Sequence, residues 1–179
     1  MSSYIALLRA VNVGGTKPIA MEKLRDFFTE IGFSEVQTLL NTGNVVFHAD
    51  VGPASRLERM LEVEAEKRLR LKTEILVRTP RELNEVIAKN PFPREAQNDP
   101  GHLVVMFLRE KPEQKRVEEL RSAIARREVL KVKGREGYIV YPDGQGRSKL
   151  SVKLIETKLV TRGTGRNWNT VMKLAAFLK

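Results

Sequence analysis

The amino-acid sequence predicts an α+β protein built from two ferredoxin-like halves of the βαββαβ type, with an extra helix at the C-terminus. Two observations support this prediction. Apolar residues in the first half alternate between the short runs typical of strands and the spacing typical of helices. After a proline-rich segment the same succession begins again, and it closes with an apolar stripe at helical spacing over residues 168–178.

The first half follows the order strand, helix, strand, strand, helix, strand. Its opening apolar run predicts a buried strand, and Gly32 ends the helix that follows. Asparagine and glycine separate the second and third strands, as hairpin turns require. The predicted elements are a strand over 4–11, a helix over 21–31, strands over 36–40 and 45–47, a helix over 57–69 and a strand over 75–77.

The second half begins after a connector that contains Pro91, Pro93 and Pro100. It is expected to lack the last strand of the unit, whose place the C-terminal helix takes. The predicted domains are therefore residues 1–89, a connector over 90–101, and residues 102–179. A helix over 81–89 is predicted before the connector. The predicted elements of the second half are a strand over 102–108, a helix over 117–124, strands over 129–132 and 138–141, and helices over 150–159 and 168–178.

Positive charge is concentrated at the C-terminal end of the chain. Residues 126–179 contain 13 basic and four acidic residues, so they carry +9 of the net charge of +10. Like charges repel one another in a folded protein, and a segregated excess therefore predicts an anionic partner. Charge that serves only solubility is the alternative interpretation.

Several classes of protein are excluded by composition. The chain has no cysteine, which rules out disulfide frameworks, thiolate catalysis and cysteine-rich zinc sites. His48 and His102 are far apart in sequence, so neither a metal nor a cofactor is expected. Apolar runs are much shorter than the about 20 residues that cross a bilayer, and the N-terminus lacks a signal-peptide pattern. We expect a cytoplasmic protein without a membrane partner.

A polar site is predicted where the loop after the first strand meets the hairpin, because both leave the same end of a ferredoxin-like sheet. The loop glycines can present backbone N–H groups, and Lys17 adds a positive charge, so this region can hold a phosphate. A plain strand-to-helix turn and a purely structural hairpin are the alternatives. The candidate ligand-binding residues are Arg9, Asn12, Gly14, Gly15, Lys17, Asn41, Thr42, Gly43 and Asn44.

The corresponding end of the second half is basic instead of amide-rich. It is expected to present Arg109 and Lys111 near Lys133 and Arg135. This group is either an anion site or a solvated surface, since most exposed charges only maintain solubility.

Segment 161–170 supplies the remaining candidates, Arg162, Arg166, Asn167 and Asn169. Cations just before a helix oppose its dipole, so a protein carboxylate or an anionic ligand is expected beside the two arginines. Asn167 or Asn169 can cap the helix through its side-chain oxygen. Trp168 lies on the apolar stripe and is interpreted as a core anchor rather than a base-stacking platform.

Taken together, segments 4–15, 41–47, 90–93 and 166–171 resemble the family catalogued as domain of unknown function 1697. The resemblance covers essentially the whole chain. It implies a small bacterial-type protein with a ferredoxin-like arrangement in each half, and it implies no established activity. Two positions depart from the family's commonest pattern, since Thr42 stands where serine is frequent and Gly165 where threonine is usual.

Three functions are compatible with these features. The first is binding of RNA or single-stranded nucleic acid by the basic C-terminal half. The second is an enzyme or small-molecule binder acting on a phosphorylated metabolite or nucleotide at the glycine-rich loop. The third is a structural or interaction protein without a ligand. We favour anion binding, and no acid or base qualifies as a catalytic residue.

Overall fold

The computed structural model describes residues 1–12, 18–50 and 52–178. It contains two antiparallel four-stranded sheets. These residues also contain seven α-helices, so the fold is of the mixed α+β type. None of the helices in this part of the chain is long and apolar enough to cross a membrane.

The first sheet has the strand order β2-β3-β1-β4, and neighbouring strands run antiparallel. Two helices cover one of its faces. The aromatic rings of Phe28 and Phe33 pack on Phe47, with centroids 5.2 and 4.7 Å apart. The elements are β1 (Ser2–Leu8), α1 (Met21–Glu30), β2 (Ser34–Leu39), β3 (Asn44–Ala49), α2 (Ala54–Leu69) and β4 (Ile75–Arg78).

The second sheet has the strand order β6-β7-β5-β8 and is also antiparallel. Alternate residues of β5, namely Val104, Met106 and Leu108, join a core with Val117 and Ile155 of the covering helices. The elements are α3 (Pro80–Ala88), α4 (Pro93–Asn98), β5 (Leu103–Leu108), α5 (Gln114–Ser122), β6 (Val129–Lys133), β7 (Glu136–Val140), α6 (Val152–Leu159), β8 (Gly163–Asn167) and α7 (Trp168–Phe177).

Two sequence-based expectations need correction. The second half does not lack its last strand, because Gly163–Asn167 pairs with β5 along its whole length. The proline-rich connector contains the short helix α4. The first strand ends at Leu8 instead of residue 11, because Ala10 and Asn12 have positive φ angles of 52° and 54°, which an extended strand does not allow.

The chain divides into two compact units. One comprises Met1–Asn84 together with Leu174–Lys179, and the other comprises Glu85–Lys173. The domain boundaries expected from the sequence, 1–89, 90–101 and 102–179, remain a prediction about where independently folding pieces begin and end.

Candidate functional site

The loop after β1 and the β2–β3 hairpin meet at one end of the first sheet, as the sequence predicts. The backbone N–H of Leu8 donates to the carbonyl of Gly43 at 2.9 Å. The side-chain amide of Asn12 donates to the carbonyl of Asn41 at 2.8 Å. The predicted members Gly14, Gly15 and Lys17 lie outside the described residues.

The Asn12 side chain fastens this loop to its surroundings. Its Nδ2 donates to the carbonyl of Ile19 at 2.9 Å as well as to Asn41, and its Oδ1 accepts from the N–H of Ile19 at 2.7 Å. Because both the nitrogen and the oxygen of the Asn12 amide are hydrogen-bonded, the side chain connects the residues that flank the loop. These contacts give Asn12 a structural role.

The hairpin residues are also engaged in structure. Asn44 is fully buried, and its Nδ2 donates to the carbonyl of Leu39 at 2.8 Å and to the hydroxyl of Thr42 at 3.0 Å. Gly43 has a φ of +80°, and a Cβ there would lie 2.9 Å from that of Leu8. Glycine is therefore needed for both its backbone angle and the close approach.

Arg9 is paired with an acidic residue of the same unit. Its guanidinium lies 3.5 Å from the Glu74 carboxylate, and its backbone N–H donates to the Glu74 carbonyl at 2.9 Å. The carbonyl of Arg9 accepts from the hydroxyl of Thr73 at 2.5 Å. In the described part of this end of the sheet, the charge of Arg9 is therefore offset by that of Glu74.

The equivalent end of the second sheet gathers three arginines, which we call the basic end: Arg109, Arg135 and Arg162. Arg109 follows β5, Arg135 precedes β7 and Arg162 precedes β8. The N–H of Leu108 donates to the Arg135 carbonyl, and that of Arg109 donates to the Arg162 carbonyl, each at 2.8 Å. Three neighbouring strands thus each place one arginine at the same end of the sheet.

A two-residue hairpin presents Arg135. Lys133 and Glu136 are paired at the ends of β6 and β7, so Gly134 and Arg135 alone form the turn. Gly134 has a φ of 61°, the angle that a tight hairpin requires at its first central position. The Arg135 guanidinium then donates to the carbonyl of Arg109 at 3.4 Å, which draws the two residues together.

The two sheet ends share one backbone frame but carry different side chains. Strand pairing matches Leu8 with Ile75 in one unit and Leu108 with Gly163 in the other. The same register places Arg109 at the position of Arg9, Arg135 at that of Gly43, and Arg162 at that of Glu74. A glycine and a glutamate are thereby replaced by arginines.

Glu156 holds Arg162 from one side. Its Oε2 lies 3.3 Å from Nη1 of Arg162, and the glutamate side chain is 5% exposed whereas the arginine side chain is 59% exposed. This carboxylate answers the sequence-based expectation that an acid or an anion lies beside Arg162.

Arg166 does not precede the helix as an exposed cation. It belongs to β8 and is buried, and its guanidinium donates to the Thr164 hydroxyl at 2.7 Å and to the Gly165 carbonyl at 2.9 Å. Burial lowers the pKa of Arg166 to about 10, which leaves the side chain charged at neutral pH. Arg166 does lie just before the last helix, as the sequence predicts, because α7 begins at Trp168. The strand β8 that contains Arg166 was not predicted.

The start of α7 confirms one of two capping alternatives. Oδ1 of Asn167 accepts from the N–H of Thr170 at 3.0 Å and from its hydroxyl at 3.1 Å. Asn169 is exposed. Trp168 is 6% exposed, which confirms the core anchor and leaves no face for base stacking.

Sequence reasoning missed the group that Arg162 completes. Arg109 and Arg135 were expected near each other, but Arg162 joins them only through β8, whose sequence has little strand character. Two carboxylates of α2 were also missed as structural groups, since Glu58 and Glu62 accept from the N–H groups of Val77 and Ile75 at 2.9 and 2.8 Å. Among the described residues, no group of three or more histidine, aspartate or glutamate side chains could hold a metal ion.

Comparison with known proteins identifies a family and a fold. A family model described as "Protein of unknown function (DUF1697)" matches residues 1–138. The solved structure of conserved bacterial protein SP0830 from Streptococcus pneumoniae is similar, with a TM-score of 0.76, 20% identity and 99% of each chain covered. At that identity the likeness concerns the fold alone. No curated protein matches the sequence significantly.

Proposed function

The chain belongs to the DUF1697 family of proteins of unknown function, and we propose that it binds a phosphate-bearing polyanion, with single-stranded nucleic acid as the ligand class. The basic end of the second unit, Arg109, Arg135 and Arg162, is the proposed contact. The observation that carries the proposal is that three adjacent strands each place an arginine at the same end of the second sheet. Arginine binds phosphate with a planar fork of donors.

The first unit supports the choice of site by contrast. At the equivalent positions its frame carries Arg9, Gly43 and Glu74, and Arg9 is paired with Glu74. Two further positions of the predicted site, Asn12 and Asn44, use their amides on backbone groups. The described part of that end therefore offers less to an anion, although Gly14, Gly15 and Lys17 stay candidates.

Charge over the whole unit points the same way. Residues 85–173 contain 19 lysines and arginines and 11 acidic residues, whereas the rest of the chain contains 13 and 11. A single small phosphate needs only a few donors, and an excess of eight positive charges suits an extended anion better. Because of this charge distribution, we favour a polyanion over a phosphorylated metabolite as the ligand.

The aromatic residues restrict how such a ligand is held. Residues 85–173 are all described, and their five aromatic side chains, Phe92, Phe107, Tyr138, Tyr141 and Trp168, are buried. Base stacking needs an exposed ring. We therefore propose contacts to the phosphate backbone, which predict strong dependence on salt and little dependence on base sequence.

The proposal includes the finer description of the fold. Each unit follows the order strand, helix, strand, strand, helix, strand, with its first strand between the third and the fourth. Arg78 of β4 and Arg166 of β8 occupy equivalent register positions, are both buried, and each donate to the carbonyl of the preceding residue. These features support two copies of a ferredoxin-like unit, and a cytoplasmic location belongs to the same proposal.

Salt-dependent binding tests the function. Anisotropy of a fluorescein-labelled oligouridylate of about 12 nucleotides, a length within the usual site size, is measured at a series of salt concentrations. Neutralisation of three phosphates predicts a log–log slope of about −2. Arg135→Gln and Arg162→Gln should each reduce the steepness of that slope by about 0.7.

Arg116→Gln is the matched control, because it removes the same charge from an exposed position of α5 that is paired with Glu119. We expect it to leave the slope near that of the parent protein. Absence of binding at low ionic strength would overturn the function. Equal weakening by all three variants would show dispersed charge instead of a site. Displacement of the oligonucleotide by uridine monophosphate at similar phosphate concentration would identify a small phosphorylated ligand.

A further inference from the structure

Glu156 is a buried carboxylate that contacts Arg162 of the basic end. It is the fifth of the eight residues of α6, and its side chain is 5% exposed. The carboxylate lies 3.3 Å from Nη1 of Arg162. The backbone carbonyl of Glu156 also accepts from the N–H of Thr161 at 3.3 Å, so this one residue contacts both residues that precede β8.

The segment that Glu156 fixes is connected to the rest of the basic end. The hydroxyl of Thr161 accepts from the N–H of Glu110 at 3.2 Å, and the carbonyl of Arg162 accepts from the N–H of Arg109 at 2.8 Å. The backbone of Arg162 is thus set by β5, whereas its mostly exposed side chain has many rotamers. Fixing a long side chain before a ligand arrives lowers the entropy lost on binding.

We propose that Glu156 is a positioning residue for anion binding, which orients the Arg162 guanidinium toward the ligand; this inference rests on the proposed function. It makes a prediction opposite in sign to simple electrostatics. Removal of a negative charge near a cationic site should strengthen anion binding if only net charge counts. Removal of a positioning group should weaken it.

The experiment compares three variants by anisotropy with the same fluorescein-labelled oligouridylate. Glu156→Gln removes the charge and keeps the shape of the side chain. Glu156→Asp keeps the charge but shortens the side chain by one methylene, so it withdraws the carboxylate from Arg162. Glu119→Gln is the matched control, because it removes a half-exposed carboxylate that is paired with Arg116 in the same unit.

We expect Glu156→Gln and Glu156→Asp to weaken binding by about two- to fivefold, the range of an ion pair with one exposed partner. Glu119→Gln should bind as tightly as the parent or slightly more tightly. Each variant is checked by thermal unfolding, and Glu156→Asp provides the answer if Glu156→Gln does not fold. In the Arg162→Gln background, Glu156→Asp should have no further effect on affinity, because the group that it positions is gone.

Two results overturn the inference in distinguishable ways. If the parent does not bind the oligonucleotide at low ionic strength, the proposed function fails and the role of Glu156 fails with it. If the parent binds and Arg162→Gln weakens binding, but both Glu156 variants bind as well as the parent or better, the function stands. The positioning role alone is then wrong.

Discussion

The close approach of β8 to β5 depends on Gly163. A Cβ at this residue would lie 2.8 Å from the carbonyl oxygen of Phe107 and 2.9 Å from Cδ2 of Leu108. The first of these atoms belongs to the backbone of a central strand and cannot move aside. We expect Gly163→Ala to lower the free energy of unfolding by about 1–3 kcal/mol, as overpacking does.

Urea unfolding followed by circular dichroism measures this difference. Gly101→Ala is the control, because a Cβ at Gly101 meets no atom within 4 Å, and its effect should stay within about 0.5 kcal/mol. Equal stability of the two variants would mean that β8 can separate from β5 without cost.

The amide of Asn12 provides a second test at the level of one side chain. Among the described residues, hydrogen bonds join its side chain to Ile19 and Asn41. Because Asn12 has a φ of 54°, alanine would add backbone strain, whereas glycine removes only the side chain. Asn12→Gly should lower the free energy of unfolding, measured by urea unfolding, by about 1–3 kcal/mol.

At the level of elements, the outer edge of β4 is closed by two carboxylates of α2. β4 ends its sheet, so its outward N–H groups need acceptors other than a strand. Glu58 and Glu62 are one helical turn apart and accept from the N–H groups of Val77 and Ile75. Glu58 is 5% exposed, so the bond to Val77 is shielded from water.

Loss of that carboxylate should leave the Val77 N–H without its acceptor. Glu58→Ala is therefore expected to destabilise the protein by about 1–3 kcal/mol and to speed hydrogen exchange at the Val77 amide. Glu66→Ala, at an exposed position of the same helix, controls for lost charge. Unchanged exchange at Val77 would contradict the edge closure.

The elements show where sequence patterns suffice and where they fail. Helices α1 and α5 have apolar residues at regular spacing, and both were predicted. The β8 segment was missed because Gly163 and Gly165 are poor strand residues by propensity. Gly163 is required because a Cβ there would lie 2.8 Å from the carbonyl oxygen of Phe107, whereas a Cβ at Gly165 would lie 3.2 Å from the side chain of Val104. In the hairpin, asparagine and glycine were correctly expected, but Leu40 is one of the residues that take a positive φ.

The basic end illustrates the same limit for a site. Its three arginines lie far apart in sequence, and their proximity depends on strand register, which in turn depends on β8. The concentration of positive charge directed attention to the second unit. Composition alone could not show which basic residues lie close together and which are merely solvated. The individual roles of Asn12, Asn44 and Glu58 also depend on backbone groups that no sequence pattern identifies.

At the scale of the whole molecule, the net charge of +10 should make stability depend on salt. Raising sodium chloride from about 10 to 150 mM shortens the Debye length from about 30 to 8 Å, so the melting temperature should rise. Phosphate at equal ionic strength should raise it further, because a ligand of the native state stabilises that state.

Arg162→Gln separates the two effects by differential scanning fluorimetry. It should keep the rise caused by chloride and lose much of the additional rise caused by phosphate. The same additional rise in parent and variant would attribute it to a general solvent effect of phosphate and would argue against a phosphate contact at Arg162.

The shared frame of the two sheet ends has a practical consequence. Because Arg9, Gly43 and Glu74 occupy the places that arginines take in the other unit, the same backbone frame is present in the molecule with two different sets of side chains. The substitution Glu74→Arg in the first unit tests whether an arginine at this place in the frame is sufficient for anion binding. Gly43→Arg is less suitable, because a Cβ at Gly43 would lie 2.9 Å from that of Leu8. The converse change, Arg162→Glu, places at the basic end the acidic residue that Glu74 provides in the first unit, and it should weaken oligonucleotide binding.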